Sequence, residues 1–122
     1  MESTYSPRAD GRPDPGEVVW AWIPYEDDPK QGKDRPVIVL GWEEKDLVVV
    51  PLTTKAHPER DDEVELGSGG WDRTQRDSYA KVDTVLRVSV GDVRREGAVL
   101  DRKRFDKVVA AVTAYRAAHP GA

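Results

Sequence analysis

The chain has no cysteine among its 122 residues. It can form neither a disulfide nor a thiolate metal site, which fits a reducing compartment. Histidine is almost as scarce: His57 and His119 lie far apart and in poor contexts for a metal cluster. No apolar run is long enough to span a membrane. Residues 1–15 lack the apolar stretch of a signal peptide, so the expectation is a cytoplasmic protein away from any membrane. An excess of positive charge is also missing. The 19 Lys and Arg residues against 23 Asp and Glu give a net charge of −4. This argues against a protein that coats nucleic acid unspecifically but leaves room for a local basic cleft. The glycine-rich stretch Gly67–Asp77 lacks the Gly-Lys-Ser/Thr ending of a phosphate-binding loop, which removes the nucleoside triphosphatases.

What is present centres on Arg35–Thr54, R-P-V-I-V-L-G-W-E-E-K-D-L-V-V-V-P-L-T-T. The β-branched runs Val37–Leu40 and Leu47–Val50 read as two buried strands joined by a polar turn at Gly41–Asp46. A hairpin brings its outer ends together. If Gly41 pairs with Leu47, Arg35 lies opposite Thr53 on one face, whereas a slip of one residue separates them. A cation beside a hydroxyl at the end of a rigid hairpin suits an anion or a phosphate.

The remaining pieces form one domain, residues 16–118, behind a proline-bearing leader, residues 1–15. Gly16–Ile23 is the first strand, with Val18, Trp20 and Trp22 on one face and Val19, Ala21 and Ile23 on the other. Two apolar faces point to a small barrel whose core the tryptophans fill. Pro24–Asp34 reads as a long polar loop; its acids could hold Mg²⁺, although nothing in their spacing demands it. His57, in the next polar loop, is either a general base or a solvated side chain. Glu63–Leu66 alternates as a half-exposed strand does. In Gly67–Asp77, Trp71, Arg73 and Arg76 mix an aromatic ring with cations, which suits single-stranded nucleic acid. Ser78–Asp83 is a strand with Tyr79, Lys81 and Asp83 on one face. Val85–Val90 reads as the last strand, and Gly91–Leu100 as the lead into a helix over Asp101–Ala118. That helix has Asp101 as N-cap, Pro120–Gly121 as stop and an apolar stripe of Phe105, Val108, Val109, Val112 and Tyr115.

Four segments together resemble the MazF/PemK family of toxins from type II toxin–antitoxin pairs. They are G-E-V-V-W at Gly16–Trp20, Q-G-K-D-R-P-V-I-V-L at Gln31–Leu40, V-V-V-P-L-T-T at Val48–Thr54 and S-Y-A-K-V-D at Ser78–Asp83. The resemblance covers residues 15–118. It implies a mostly β fold, a small SH3-like barrel with a C-terminal α-helix, usually a homodimer. It further implies sequence-specific cleavage of single-stranded RNA, mostly mRNA, without metal or other cofactor, and a cognate antitoxin as partner. On this pattern Arg35 and Thr53 match the family's key arginine and threonine. Lys81 and Asp83 take the place of an arginine–aspartate pair, a change that keeps the charge and loses the planar fork. Gln31, Lys33, Thr54, Trp71, Arg73 and Arg76 are the expected RNA contacts. Lys30 stands where the family often has glutamate or histidine.

The chemistry implied uses the RNA's own 2′-hydroxyl as nucleophile, with Arg35 on the phosphorane, Thr53 positioning the phosphate, Asp83 as base and Lys81 as second cation. Two other functions fit the same residues: a non-catalytic relative that binds a protein partner through this groove, as gyrase-poisoning toxins do, and an SH3-like adaptor or RNA-binding module.

Overall fold

The computed structural model describes residues 13–24, 28, 30–54, 63–69 and 76–119. The chain runs β1 (Glu17–Pro24), β2 (Gly32–Glu43), β3 (Asp46–Thr53), β4 (Glu63–Gly67), β5 (Ser78–Lys81), β6 (Leu86–Ser89), a single 3-10 turn (Val90–Asp92), β7 (Val93–Val99) and α1 (Arg102–Ala118). The seven strands form one antiparallel sheet in the order β4-β5-β3-β2-β1-β7, with β6 also paired to β3. The sheet curls into a half-barrel with α1 against it.

The central strands are apolar on both faces because both are covered. Successive side chains point to opposite sides of a strand. Val18, Ile38, Leu40, Val50 and Leu52 join Val64, Leu66, Ala80 and the helix residues Phe105, Val108 and Val112 in one core. Val19, Ala21, Ile23, Val37, Val39, Leu47 and Val49 form a second core on the other face, closed by Leu86, Val88 and Val93. The helix stripe expected at 105, 108, 109, 112 and 115 is the one that packs. Asp101 caps it through a bond from the Arg104 backbone N–H to Oδ2, 3.1 Å. At its C-terminal end His119 is the cap, its own N–H donating to the Tyr115 carbonyl; residues 120 and 121 lie outside the described residues.

Several sequence expectations are corrected. The hairpin turn is not Gly41–Asp46. β2 and β3 extend into it, leaving only Glu44–Lys45 between the paired Glu43 and Asp46. Gly41 pairs with Val48, not Leu47, and the register shifts between Val39 and Gly41. That bulge turns Trp42 onto the second core. The polar loop after β1 is shorter than Pro24–Asp34, since Gly32, Lys33 and Asp34 already pair with β1. The tryptophans are not the core of β1. Trp22 is 53% exposed, and the interior is filled instead by Val18, Val19, Ala21 and Ile23. The strand over Val85–Val90 is not the last, because β7 follows and pairs with β1. Pro13 and Pro15, within the expected leader, are buried against the folded body.

Candidate functional site

Beyond the bulge the β2–β3 ladder settles into Ile38↔Val50 and Val37↔Pro51. The ladder ends there, and strand alternation beyond it turns Arg35 and Thr53 to the same face. The alternation of side chains between the two cores agrees. Arg35 shares its face of β2 with Val37 and Val39, and Thr53 its face of β3 with Leu47 and Val49, all of the second core. Arg35 and Thr53 therefore share a face, through a register that differs from the assumed one by a bulge.

At its end β3 leaves β2 and pairs with β5, Leu52 against Ala80 and Thr53 against Tyr79. β5 pairs in turn with β4, Glu63 against Lys81 and Glu65 against Tyr79. Leu52, Ala80, Val64 and Leu66 all turn into the helix-side core. Thr53, Tyr79, Lys81, Glu63 and Glu65 consequently share the opposite face with Arg35 and Lys33. Arg35, Thr53, Tyr79 and Lys81 are half-buried, and Lys33 is exposed. The face thus offers three cations, two hydroxyls and, along β4, two carboxylates. Such a surface can bind a phosphate on its β2 side and present hydroxyl donors to it.

Asp83 is not in the strand. β5 stops at Lys81, and Val82–Asp83 form a turn closed by the Thr84 N–H donating to the Lys81 carbonyl at 3.0 Å. The Thr84 hydroxyl donates to Asp83 Oδ1 at 3.1 Å. A carboxylate held at the end of β5 lies next to Lys81 in the chain, but strand alternation no longer fixes the face it takes.

Thr54 follows β3 and is exposed, as is Arg76 just before β5. Gln31 is exposed at the entrance to β2, its N–H donating to the Asp28 carbonyl at 3.0 Å. Trp71, Arg73 and His57 lie outside the described residues. Among the described residues, no three or more His, Asp or Glu side chains are arranged to hold a metal ion, and no helix is long and apolar enough to cross a membrane.

Tyr79 and Glu65 were not among the residues singled out by motif. The alternation of Ser78–Lys81 already places Tyr79 beside Lys81; what the sequence lacks is the pairing that sets it against Thr53 on one side and Glu65 on the other.

The fold and this face define a small mostly β half-barrel with one C-terminal helix and a polar, cationic patch at the end of its central hairpin. A family model described as PemK-like, MazF-like toxin of type II toxin-antitoxin system matches residues 14–115, and the chain belongs to that family. Its fold is similar to that of a chain in the crystal structure of MazE-MazF (Form-II) from Deinococcus radiodurans. The TM-score is 0.67 at 18% identity, covering 88% of this chain and 98% of that one. Comparison with curated protein sequences finds no match.

Proposed function

We propose that the protein is a toxin that cleaves single-stranded RNA at a short sequence motif, without a metal, and that a cognate antitoxin blocks it. The observation that carries the reading is the β2–β3 register, which directs Arg35 and Thr53 to one face in a member of this toxin family. In the reaction the 2′-hydroxyl of one nucleotide attacks the adjacent phosphorus. The O2′–P bond forms, the P–O5′ bond breaks, and the products are a 2′,3′-cyclic phosphate and a 5′-hydroxyl. Asp83 takes the 2′-hydroxyl proton. Arg35 stabilises the charge on the phosphorane and Lys81 adds a second cation. Thr53 donates a hydrogen bond to a phosphate oxygen, and the leaving 5′-oxygen gains a proton, from Arg35 or from water. Lys33, Gln31, Thr54, Arg73, Arg76 and Trp71 hold the flanking nucleotides. A homodimer acting on mRNA in the cytoplasm completes the proposal.

The test is incubation of the purified protein with a long single-stranded RNA in EDTA, followed by mapping of the fragment ends, with Arg35→Ala run in parallel. Cleavage at one short motif with 5′-hydroxyl ends is expected. In Arg35→Ala the rate should fall by about 10²–10³-fold or more, the usual cost of one preorganised donor to developing charge. Lysine at positions 30 and 81, where the family has other residues, favours a second reading, a non-catalytic relative that grips a protein partner through the same face. Intact RNA in the presence of folded wild-type protein would select it.

A further inference from the structure

We infer that Tyr79 is the stacking platform for the base adjacent to the scissile phosphate, and that Glu65 reads that base's edge. The inference rests on the ribonuclease reading of this face. Tyr79 stands directly across the β3–β5 ladder from Thr53, the proposed phosphate-positioning residue. Cβ atoms of directly opposed residues lie about 4.5–5.5 Å apart, so a nucleotide whose phosphate meets Thr53 has its base within reach of the Tyr79 ring. The ring has not been spent on packing. Tyr79 belongs to neither core and is half-buried, while its neighbours Ser78 and Ala80 are buried.

Charge gives the bound strand a direction. Lys33 and Arg35 are on the β2 side of Thr53; beyond it Lys81 on β5 stands opposite Glu63, and Glu65 on β4, opposite Tyr79, makes the far edge of the face acidic. Phosphates are drawn to the first side and repelled by the second. The backbone therefore tracks along β2 and the base is laid over Tyr79 toward β4. There it meets Glu65, the residue directly opposite Tyr79 and exposed. An ionised carboxylate only accepts hydrogen bonds. A base carrying an amino group, such as guanine, adenine or cytosine, donates it to Glu65; uracil offers only its N3–H, set between two carbonyl oxygens that repel the carboxylate, and is disfavoured.

The experiment uses single-stranded 2′-fluoro RNA, which cannot form the 2′-oxyanion, with 2-aminopurine placed at successive positions around the mapped cleavage site. Wild-type protein is expected to quench the fluorophore at one position next to the scissile phosphate. Tyr79→Phe should retain the quench, and Tyr79→Leu, which keeps apolar bulk, should lose it and bind about 5- to 150-fold more weakly. Glu65→Gln should retain the quench and let uracil in at that position when cleavage sites are mapped. Thermal melts establish that each variant is folded. Equal quenching by Tyr79→Leu, or an unchanged cleavage motif in both Tyr79→Leu and Glu65→Gln, overturns the inference while leaving ribonuclease activity intact. Failure of wild-type protein to cut unmodified RNA overturns the ribonuclease reading and the inference with it.

Discussion

Arg95 closes on Glu17 through two bonds, Nε to Oε2 at 2.6 Å and Nη2 to Oε1 at 2.8 Å, where β1 and β7 shift register between Val18 and Val19. Glu17 is only 3% exposed. A bidentate guanidinium gives a buried carboxylate two parallel charge-assisted hydrogen bonds. The pair fastens β7 to β1 at the point where the ladder is interrupted. Arg95→Ala is expected to leave the buried Glu17 carboxylate uncompensated and to lower stability by about 3–5 kcal/mol. The double variant Glu17→Leu, Arg95→Met should recover much of that. Urea unfolding of the three proteins measures both, and an Arg95→Ala midpoint equal to that of the wild type would remove the pair from the account of how β7 is held.

Gly32 opens β2 within the Q-G-K-D-R-P segment, and space explains it. A Cβ there would stand 2.5 Å from the Ile23 carbonyl oxygen and 2.6 Å from Cζ2 of Trp22, whose indole lies over the glycine. Gly32→Ala must therefore push the start of β2 off β1, three residues before Arg35. The expected loss is about 1–3 kcal/mol, as for other overpacked sites, together with a fall in RNA cleavage larger than the lost folded fraction. Melting temperature and turnover measured on the same samples separate the two effects.

The β2–β3 turn holds Glu44 at φ 57°, a left-handed conformation that L side chains other than asparagine and aspartate rarely adopt. Its ion pair with Arg87, 3.9 Å long with Glu44 85% exposed, adds little. Glu44→Asn should relieve part of the strain and raise stability by about 0.5–1 kcal/mol. A thermal melt reads this as a rise of a few degrees, and RNA cleavage should not change, since the turn lies at the other end of the hairpin from Arg35.

These residues also mark what the chain discloses before it is folded. The hairpin was legible from two short β-branched runs bounded by turn residues, and the half-exposed strand at Glu63–Leu66 and the capped helix from their periods of two and 3.6. β7 was not, because V-R-R-E-G-A-V carries three charges and a glycine. Its place in the sheet is against β1, where Arg95 meets Glu17, a residue 78 positions away. The tryptophans misled for a related reason: Trp22 satisfies the pattern of a core strand but is exposed, over a glycine that makes room for it. Arg35 and Thr53 were singled out by the hairpin and then by the family resemblance, and their common face depends on a bulge at residues 39–41 that the sequence does not announce. For Tyr79 the alternation of Ser78–Lys81 was legible, but not the pairing with Thr53 and Glu65 on either side.

Lys81 and Asp83 give the sharpest test of the proposed chemistry, because the chain departs from the family's pattern here. Lys81 ends β5 opposite Glu63 and presents a point charge, where a guanidinium would present a planar fork able to hold two phosphate oxygens. Lys81→Arg should therefore raise the cleavage rate, by about tenfold if the fork gains one charge-assisted hydrogen bond in the transition state. Asp83→Asn keeps the shape and the acceptor for the Thr84 hydroxyl but cannot take a proton. It should lower kcat by about 10²–10⁴-fold with little change in KM, the signature of a lost general base. Single-turnover cleavage of one defined RNA by the wild type and the two variants reads all of this. A rate unchanged in Asp83→Asn would assign the proton to another group, and a rate unchanged in Lys81→Arg would mean that Lys81 contributes charge alone.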